Sequence, residues 1–399
     1  MFTIYLQKNR QEIQNSRVLT YFGAALAISH LLTFFYWMRG GNLLLKYLRD
    51  PFRICWPLFP KCYAFDISSD WMVHTILGFY AALAVINTLL FLINRWSRLA
   101  YFLSAILFFF KLAVFLQDYR FMGNYHYMLF WAQFAYLFLP NKTQTIMLLI
   151  PLFYFFAGSL KFNVEWLSSA TFIRPVPLPV KLVEWLCAYV PILEMLLVWG
   201  LISKNRFIFG MTFLQFVGFH SFSYLVVGFF YPGIMACLLS LYLLARRLDI
   251  HAIYDHLHFL KLPRSSQAFL VIFALIQFTP YLYAGDPTLT AQGRMLSLNM
   301  LDAKSQCDDF IFLKYRNGVI TEAPRLSRSV GVRLNCDPLV IFAEAYRYCR
   351  SEEAQTDFVD LDLGLAAKRT TDESYQQIFA IRNFCQSKPW IDVLGGIHL

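Results

Sequence analysis

Charged side chains are scarce in this chain of 399 residues: Asp, Glu, Lys and Arg make up 15% of it, against 58% hydrophobic residues. A soluble domain of this size carries about a quarter charged residues, so the deficit excludes an ordinary soluble protein and predicts an integral membrane protein. The motifs of the common enzyme classes are missing too. No G-x-S-x-G elbow, phosphate-binding G-x-x-x-x-G-K-[ST] loop, G-x-G-x-x-G fingerprint or H-E-x-x-H helix occurs. RNP-like, zinc-finger and helix-turn-helix patterns are also absent, and much of the net charge of +10 sits at the ends of apolar segments. Nucleic acid is therefore excluded as a partner, and the basic residues read as topology signals and lipid-headgroup contacts. There is no internal repeat. The lead "MFTIYLQKNRQEIQNSR" is polar, and the first apolar run has no small-residue cleavage site before Trp37, so that run reads as a span.

Aromatic residues are abundant, with 41 Phe and 23 Tyr. They suit lipid-facing surface, interfacial belts and pockets for flat aromatic ligands. Crossing ~30 Å of hydrocarbon takes about 20 apolar residues. Candidate spans fall at 18–38, 72–94, 99–117, 122–140, 144–160, 182–202, 207–231, 232–245 and 267–284. The expected fold is an all-α polytopic bundle of about nine transmembrane helices over residues 1–285, followed by a small α+β extramembrane domain over 286–399. In that tail, "FIFLKYRNGVITEAP" reads as a hairpin turning at Asn317-Gly318, and "DPLVIFAEAYRYCRSEE" as an amphipathic helix. An N-terminus inside puts the larger share of loop Lys and Arg inside. It also puts Cys55, Cys62, Cys307, Cys336, Cys349 and Cys385 outside, where an oxidising environment favours disulfides of unspecified pairing.

Ionisable residues inside lipid are costly and usually face a cavity or a partner. The spans contain His30, His74, Lys111, His126, Glu194 and His220, and Lys161 stands at an outer helix end. His126, Lys161, Glu194 and His220 are expected around one cavity open to the outer side. Each also has a plain reading: Lys161 beside Trp166 as a snorkelling anchor, the histidines as partners of backbone carbonyls, Lys111 paired with Asp118. "HAIYDHLH" places His251, Asp255 and His258 on one helix face but reads as a solvated amphipathic face; no metal site is expected.

"GNYHYMLFW" (123–131), "YFFAGSLKFNVEWL" (154–167) and "FVGFHSFSYLVVGFFYP" (216–232), in this order, resemble the vitamin K-dependent γ-glutamyl carboxylase family, whose bacterial members are the HTTM proteins. The resemblance runs over residues 18–350. It implies Lys161 as the catalytic base that deprotonates reduced vitamin K or menaquinol, and His126 as a second catalytic residue. The quinol then reacts with O2 to give a strongly basic alkoxide, which takes a γ-proton from a glutamyl residue; CO2 adds to the resulting carbanion. Asn124, Tyr125, Trp131, Tyr154, Trp166, Glu194 and His220 are the expected quinone-binding residues. The implied partners are the lipid bilayer, a naphthoquinol and a secreted Glu-containing peptide, with no metal. Tyr125 stands where the family has a second asparagine, and Asn163 and Glu165 where it commonly has aspartates. The tail lacks most of the large region with which animal carboxylases engage their substrates. The alternative reading is a non-catalytic HTTM membrane protein that serves as export or immunity partner of a secreted peptide. A transporter is disfavoured, because the polar groups gather toward one side and no inverted repeat is present.

Overall fold

The computed structural model describes residues 2–386, apart from 51–52, 57–58, 60–61, 63–68, 95, 173–174, 249–257, 284, 292, 300–304, 324–333 and 353–356. His251 and Asp255 thus lie outside the described residues. The chain is mostly helical and divides into two units. The first comprises residues 1–53, 63–159 and 189–275, and the second 54–62, 160–188 and 276–399.

In the first unit the helices are α1 (Phe2–Asn15), α2 (Arg17–Arg49), α3 (Asp70–Ile93), α4 (Ser97–Gln117), α5 (Asn124–Phe138) and α6 (Lys142–Ser159). After α7 (Val164–Leu167) and α8 (Val180–Met195) come α9 (Arg206–Val227), α10 (Phe230–Leu248) and α11 (Arg264–Ile276). Local chemistry sets several of their ends. The Ser16 hydroxyl accepts the Leu19 amide at the start of α2, and Asn205 accepts the amides of Phe207 and Ile208 at the start of α9. Asn94 closes α3 in the left-handed region, with φ 55°.

All nine apolar windows contain helix, but among the described residues only four helices are long and apolar enough to cross a membrane: Arg17–Arg39 of α2, α3, α4 and α9. Length and apolarity thus support four spans, and the expected count of about nine is not confirmed by them. Of the others, α5 has 15 residues, α11 has 13, and α8 gives way after Met195 to a tight 3-10 turn, Leu197–Ile202. Helices α6 (18 residues) and α10 (19 residues) are long enough but less apolar, with Lys142 opening the one and Arg246 and Arg247 in the last turn of the other. The long helices turn apolar side chains outward, including Phe79 and Leu89 on α3, Phe102 and Phe109 on α4, and Leu214 on α9. Water gives no compensation for such faces, whereas hydrocarbon does.

Inside this unit the core gathers Trp37, Tyr80, Ala84, Leu107 and Phe115 from α2, α3 and α4. Buried polar groups are stitched between helices, as burial requires. His30 Nδ1 lies 2.6 Å from the Tyr80 hydroxyl, and its Nε2 lies 2.9 Å from Gln133 Nε2. Asn87 donates to Ser104 at 2.9 Å, and the Tyr242 hydroxyl to the Met147 carbonyl at 2.8 Å.

The second unit holds α7, most of α8, a one-turn helix α12 (Pro287–Thr290) and α13 (Pro338–Glu352), with strands β1 (Gln306–Tyr315), β2 (Ile320–Glu322), β3 (Phe358–Lys368) and β4 (Gln376–Ile381). The strands form one antiparallel sheet in the order β2-β1-β3-β4. The expected hairpin is β1–β2, turning at Gly318 with φ 80°, and the expected amphipathic helix is α13. Leu361, Leu363 and Leu365 alternate onto the face of β3 that packs with Ile341, Phe342 and Phe379. Six cysteines form three disulfides, Cys55–Cys62, Cys307–Cys336 and Cys349–Cys385.

Candidate functional site

Of the ionisable residues singled out in the sequence, His126, Glu194, His220 and Lys161 fall into three local groups, two in the first unit and one in the second. The first surrounds His126. Gly123 is extended and caps α5, so Asn124 to His126 form its opening turn. His126 is completely buried, and its ring is held by Tyr125, Phe115 and Tyr36, at centroid distances of 4.4, 4.6 and 5.1 Å. Neither ring nitrogen has a hydrogen-bond partner among the described residues. Trp131 does not join this group: it packs against Phe269 and Phe273 of α11, 5.1 and 5.2 Å away. Five residues on from His126, it points about 140° around the helix from the histidine.

The second group joins Tyr154, His220 and Glu194 from α6, α9 and α8. The Tyr154 hydroxyl and His220 Nε2 are 2.6 Å apart, and the Tyr154 ring packs on Phe216 at 4.4 Å. Glu194 is fully buried and lies within electrostatic range of Tyr154. Gly158 allows this closeness, because a β-carbon there would lie 2.9 Å from the Glu194 Cβ and 3.0 Å from Met195 Cγ. Gly158→Ala is therefore expected to push α6 and α8 apart and cost roughly 1–3 kcal/mol in thermal unfolding, as overpacking does. Gly78→Ala on α3, where nothing lies within 4 Å, is the control and is expected to be neutral or mildly stabilising.

The third group is in the second unit. Lys161 lies two residues past the end of α6, is 7% exposed, and carries its ammonium 5.0 Å from the centroid of the Trp166 ring. Asn163 caps α7 by accepting the Trp166 amide at 2.8 Å, and the Trp166 indole donates to the Cys187 carbonyl at 2.9 Å. Trp166 is thereby fixed from both ends and holds the lysine against its face. Asn163 and Glu165 each have a structural use here. Asn163 is the cap, and buried Glu165 faces Arg369, with Oε2 at 3.7 Å from Nε, and Thr370, with Oε1 at 3.5 Å from Oγ1. Arg369 also pairs with Asp286 and reaches the Thr288 hydroxyl.

Sequence reasoning missed Arg369 and Asp286, and the pairing of Lys111 with Asp118 is corrected. Asp118 lies beyond the end of α4, turns to φ −156° and accepts Arg120 at two oxygens, while Lys111 lies over Phe115 and Phe130. Partial burial pushes the Asp286 carboxyl up, but the Thr288 amide and hydroxyl and Arg369 outweigh it and hold the group below its ordinary value of 3.8. A depressed carboxyl stabilises the fold above its unfolded value and ceases to do so as pH falls through the lower folded value. Protection of the β3 amides in hydrogen exchange is therefore expected to weaken as pH drops below about 4, and Asp286→Asn to flatten that acid limb.

Among the described residues no group of three His, Cys, Asp or Glu is placed to hold a metal ion. No protein-family model, no curated protein and no solved structure matches the chain.

Proposed function

We propose that the chain is a naphthoquinol-dependent, carboxylase-like membrane enzyme, with Lys161 as its general base and His126 as its second reactive side chain. The observation that carries the reading is Lys161: a largely buried lysine just past the end of an apolar helix, held on the face of a tryptophan whose indole is itself pinned. A structural anchor needs only to extend its ammonium toward water, whereas this lysine is kept from it. In the proposed topology about nine helical segments cross or enter the bilayer, the N-terminus is inside and residues 286–399 are outside. An apolar quinol then arrives through lipid and a glutamyl peptide from the outer aqueous face.

The quinol and O2 supply the oxidative driving force when bound, and CO2 is the carbon that is added. The chain's own residues take the other parts. Lys161 accepts the hydroxyl proton of the co-substrate, for which it must be neutral at that moment. Trp166 stacks beside it and limits water. His126, buried with both ring nitrogens unpartnered among the described residues and walled by Tyr125, Phe115 and Tyr36, fits a flat ligand bearing an oxygen to hydrogen-bond. Tyr154, paired with His220, forms a second polar pair within the first unit. Glu165, neutralised by Arg369, orients the α7 turn rather than reacting. The test is incorporation of labelled carbon from bicarbonate into a Glu-containing peptide, by protein in nanodiscs, dependent on added naphthoquinol and O2. Purified protein that binds no naphthoquinone would instead favour the non-catalytic export or immunity partner.

A further inference from the structure

Three polar groups converge on the Phe115 ring with nothing to bond. Lys111 Nζ lies 5.8 Å from its centroid and 5.1 Å from that of Phe130. The His126 ring is 4.6 Å from Phe115, and the Trp37 ring 6.0 Å. All three residues are completely buried, and Lys111 Nζ, both His126 nitrogens and Trp37 Nε1 lack hydrogen-bond partners among the described residues. Lys111 and His126 lie within electrostatic range of each other. Asp118, the nearest acid along the chain, is held by Arg120. A single unpartnered atom is an ordinary packing defect; an amine, an imidazole and an indole N–H around one ring are a set of groups awaiting something.

An ammonium at this completely buried position has no acidic partner among the described residues, and a dissolved anion entering from solution must shed its hydration to reach it. A neutral, apolar molecule that becomes an anion on arrival avoids both costs. We propose that Lys111 is a CO2-capture site that forms a lysine carbamate. The free amine attacks the carbon of CO2; the N–C bond forms and one C=O π pair moves onto oxygen. The displaced N–H proton passes to an imidazole nitrogen of His126. No oxidation occurs, and the products are a carbamate anion and an imidazolium, neutral as a pair. The carbamate oxygens accept from the imidazolium and from Trp37 Nε1, so each orphaned group gains a partner. CO2 reaches the site through the bilayer without dehydration.

The experiment uses the full chain in nanodiscs equilibrated with ¹³C-bicarbonate and its dissolved CO2. Trialkyloxonium trapping and peptide mapping follow. The expected result is an alkyl carbamate on the Lys111 peptide at close to one per chain, which disappears when CO2 is scrubbed and in Lys111→Arg. His126→Ala is expected to lower its occupancy several-fold. Lys161→Ala is expected to retain it, which separates this site from the proposed base: loss of carboxylation with the adduct intact leaves the capture site standing. An unmodified Lys111 peptide from natively folded wild-type protein, or label confined to other lysines, overturns the proposal. The wild-type mapping decides the matter even where the Lys111 variants fail to fold.

Discussion

Replacing Lys161 with alanine is expected to lower quinol-dependent carbon incorporation by about a hundred- to ten-thousand-fold, the usual effect of deleting a general base. The same change removes a cation held on the Trp166 face, an interaction worth about 0.5–2 kcal/mol according to its desolvation. The protein should therefore still fold, and binding of an oxidised naphthoquinone should be little altered. Lys161→Arg makes the sharper test. Arginine keeps the charge and stacks on tryptophan as well as lysine does, but it does not give up its proton in proteins. If Lys161 is an anchor, arginine restores everything. If it is a base, the arginine protein has native stability and the activity of the alanine variant. Incorporation by Lys161→Arg at wild-type rate would remove Lys161 from the chemistry.

The sequence revealed the elements more readily than their continuity. Every apolar window contains helix, because hydropathy over twenty residues reports burial or lipid contact either way. It does not report where a helix changes form. The 182–202 window breaks after Met195 into a tight turn where Gly200 meets α9 so closely that a β-carbon would fall 2.2 Å from the Thr212 hydroxyl. That is a tertiary contact with no local signature. The β1–β2 hairpin and α13 were legible from an Asn-Gly turn and a helical stripe. Strand β3 carried a comparable alternation in "DLDLGLAA" and went unread, though it is central to the sheet. At the site, Lys161, His126 and His220 stood out because ionisable residues are rare in apolar runs. Their partners did not: Tyr154 is 66 residues from His220, and Arg369 lies 204 positions beyond Glu165. Trp131 packs on Phe269 and Phe273, more than 130 residues further along the chain, and those partners too had no local signal.

The largest expected loss of stability is at Arg120, in the turn that carries the chain from α4 into the His126 helix. Its guanidinium is 1% exposed and grips Asp118 through Nε at 2.9 Å and a terminal nitrogen at 2.7 Å. The other terminal nitrogen reaches Asp50 at 2.5 Å, and the Tyr47 ring lies 4.2 Å below. Asp118 in turn receives the Arg120 amide at 2.8 Å and so caps the short 3-10 turn, Tyr119–Phe121, that delivers Gly123 and His126. Arg120→Ala strands a fully buried carboxylate beside a second acid, and such a break costs about 3–5 kcal/mol. Arg120→Lys should fall between, since one ammonium cannot reproduce the forked contact. The decisive comparison is the double variant Asp118→Asn/Arg120→Met. Removing both charges leaves no orphan at the Asp118 position, so it should unfold at a higher temperature than Arg120→Ala despite losing more native contacts. An Arg120→Ala protein within about 1 kcal/mol of wild type would instead reduce the cluster to a surface-like pair. If the double variant regains stability but not the environment of His126, the ion pair is kept for the position of that histidine rather than for the energy of the fold.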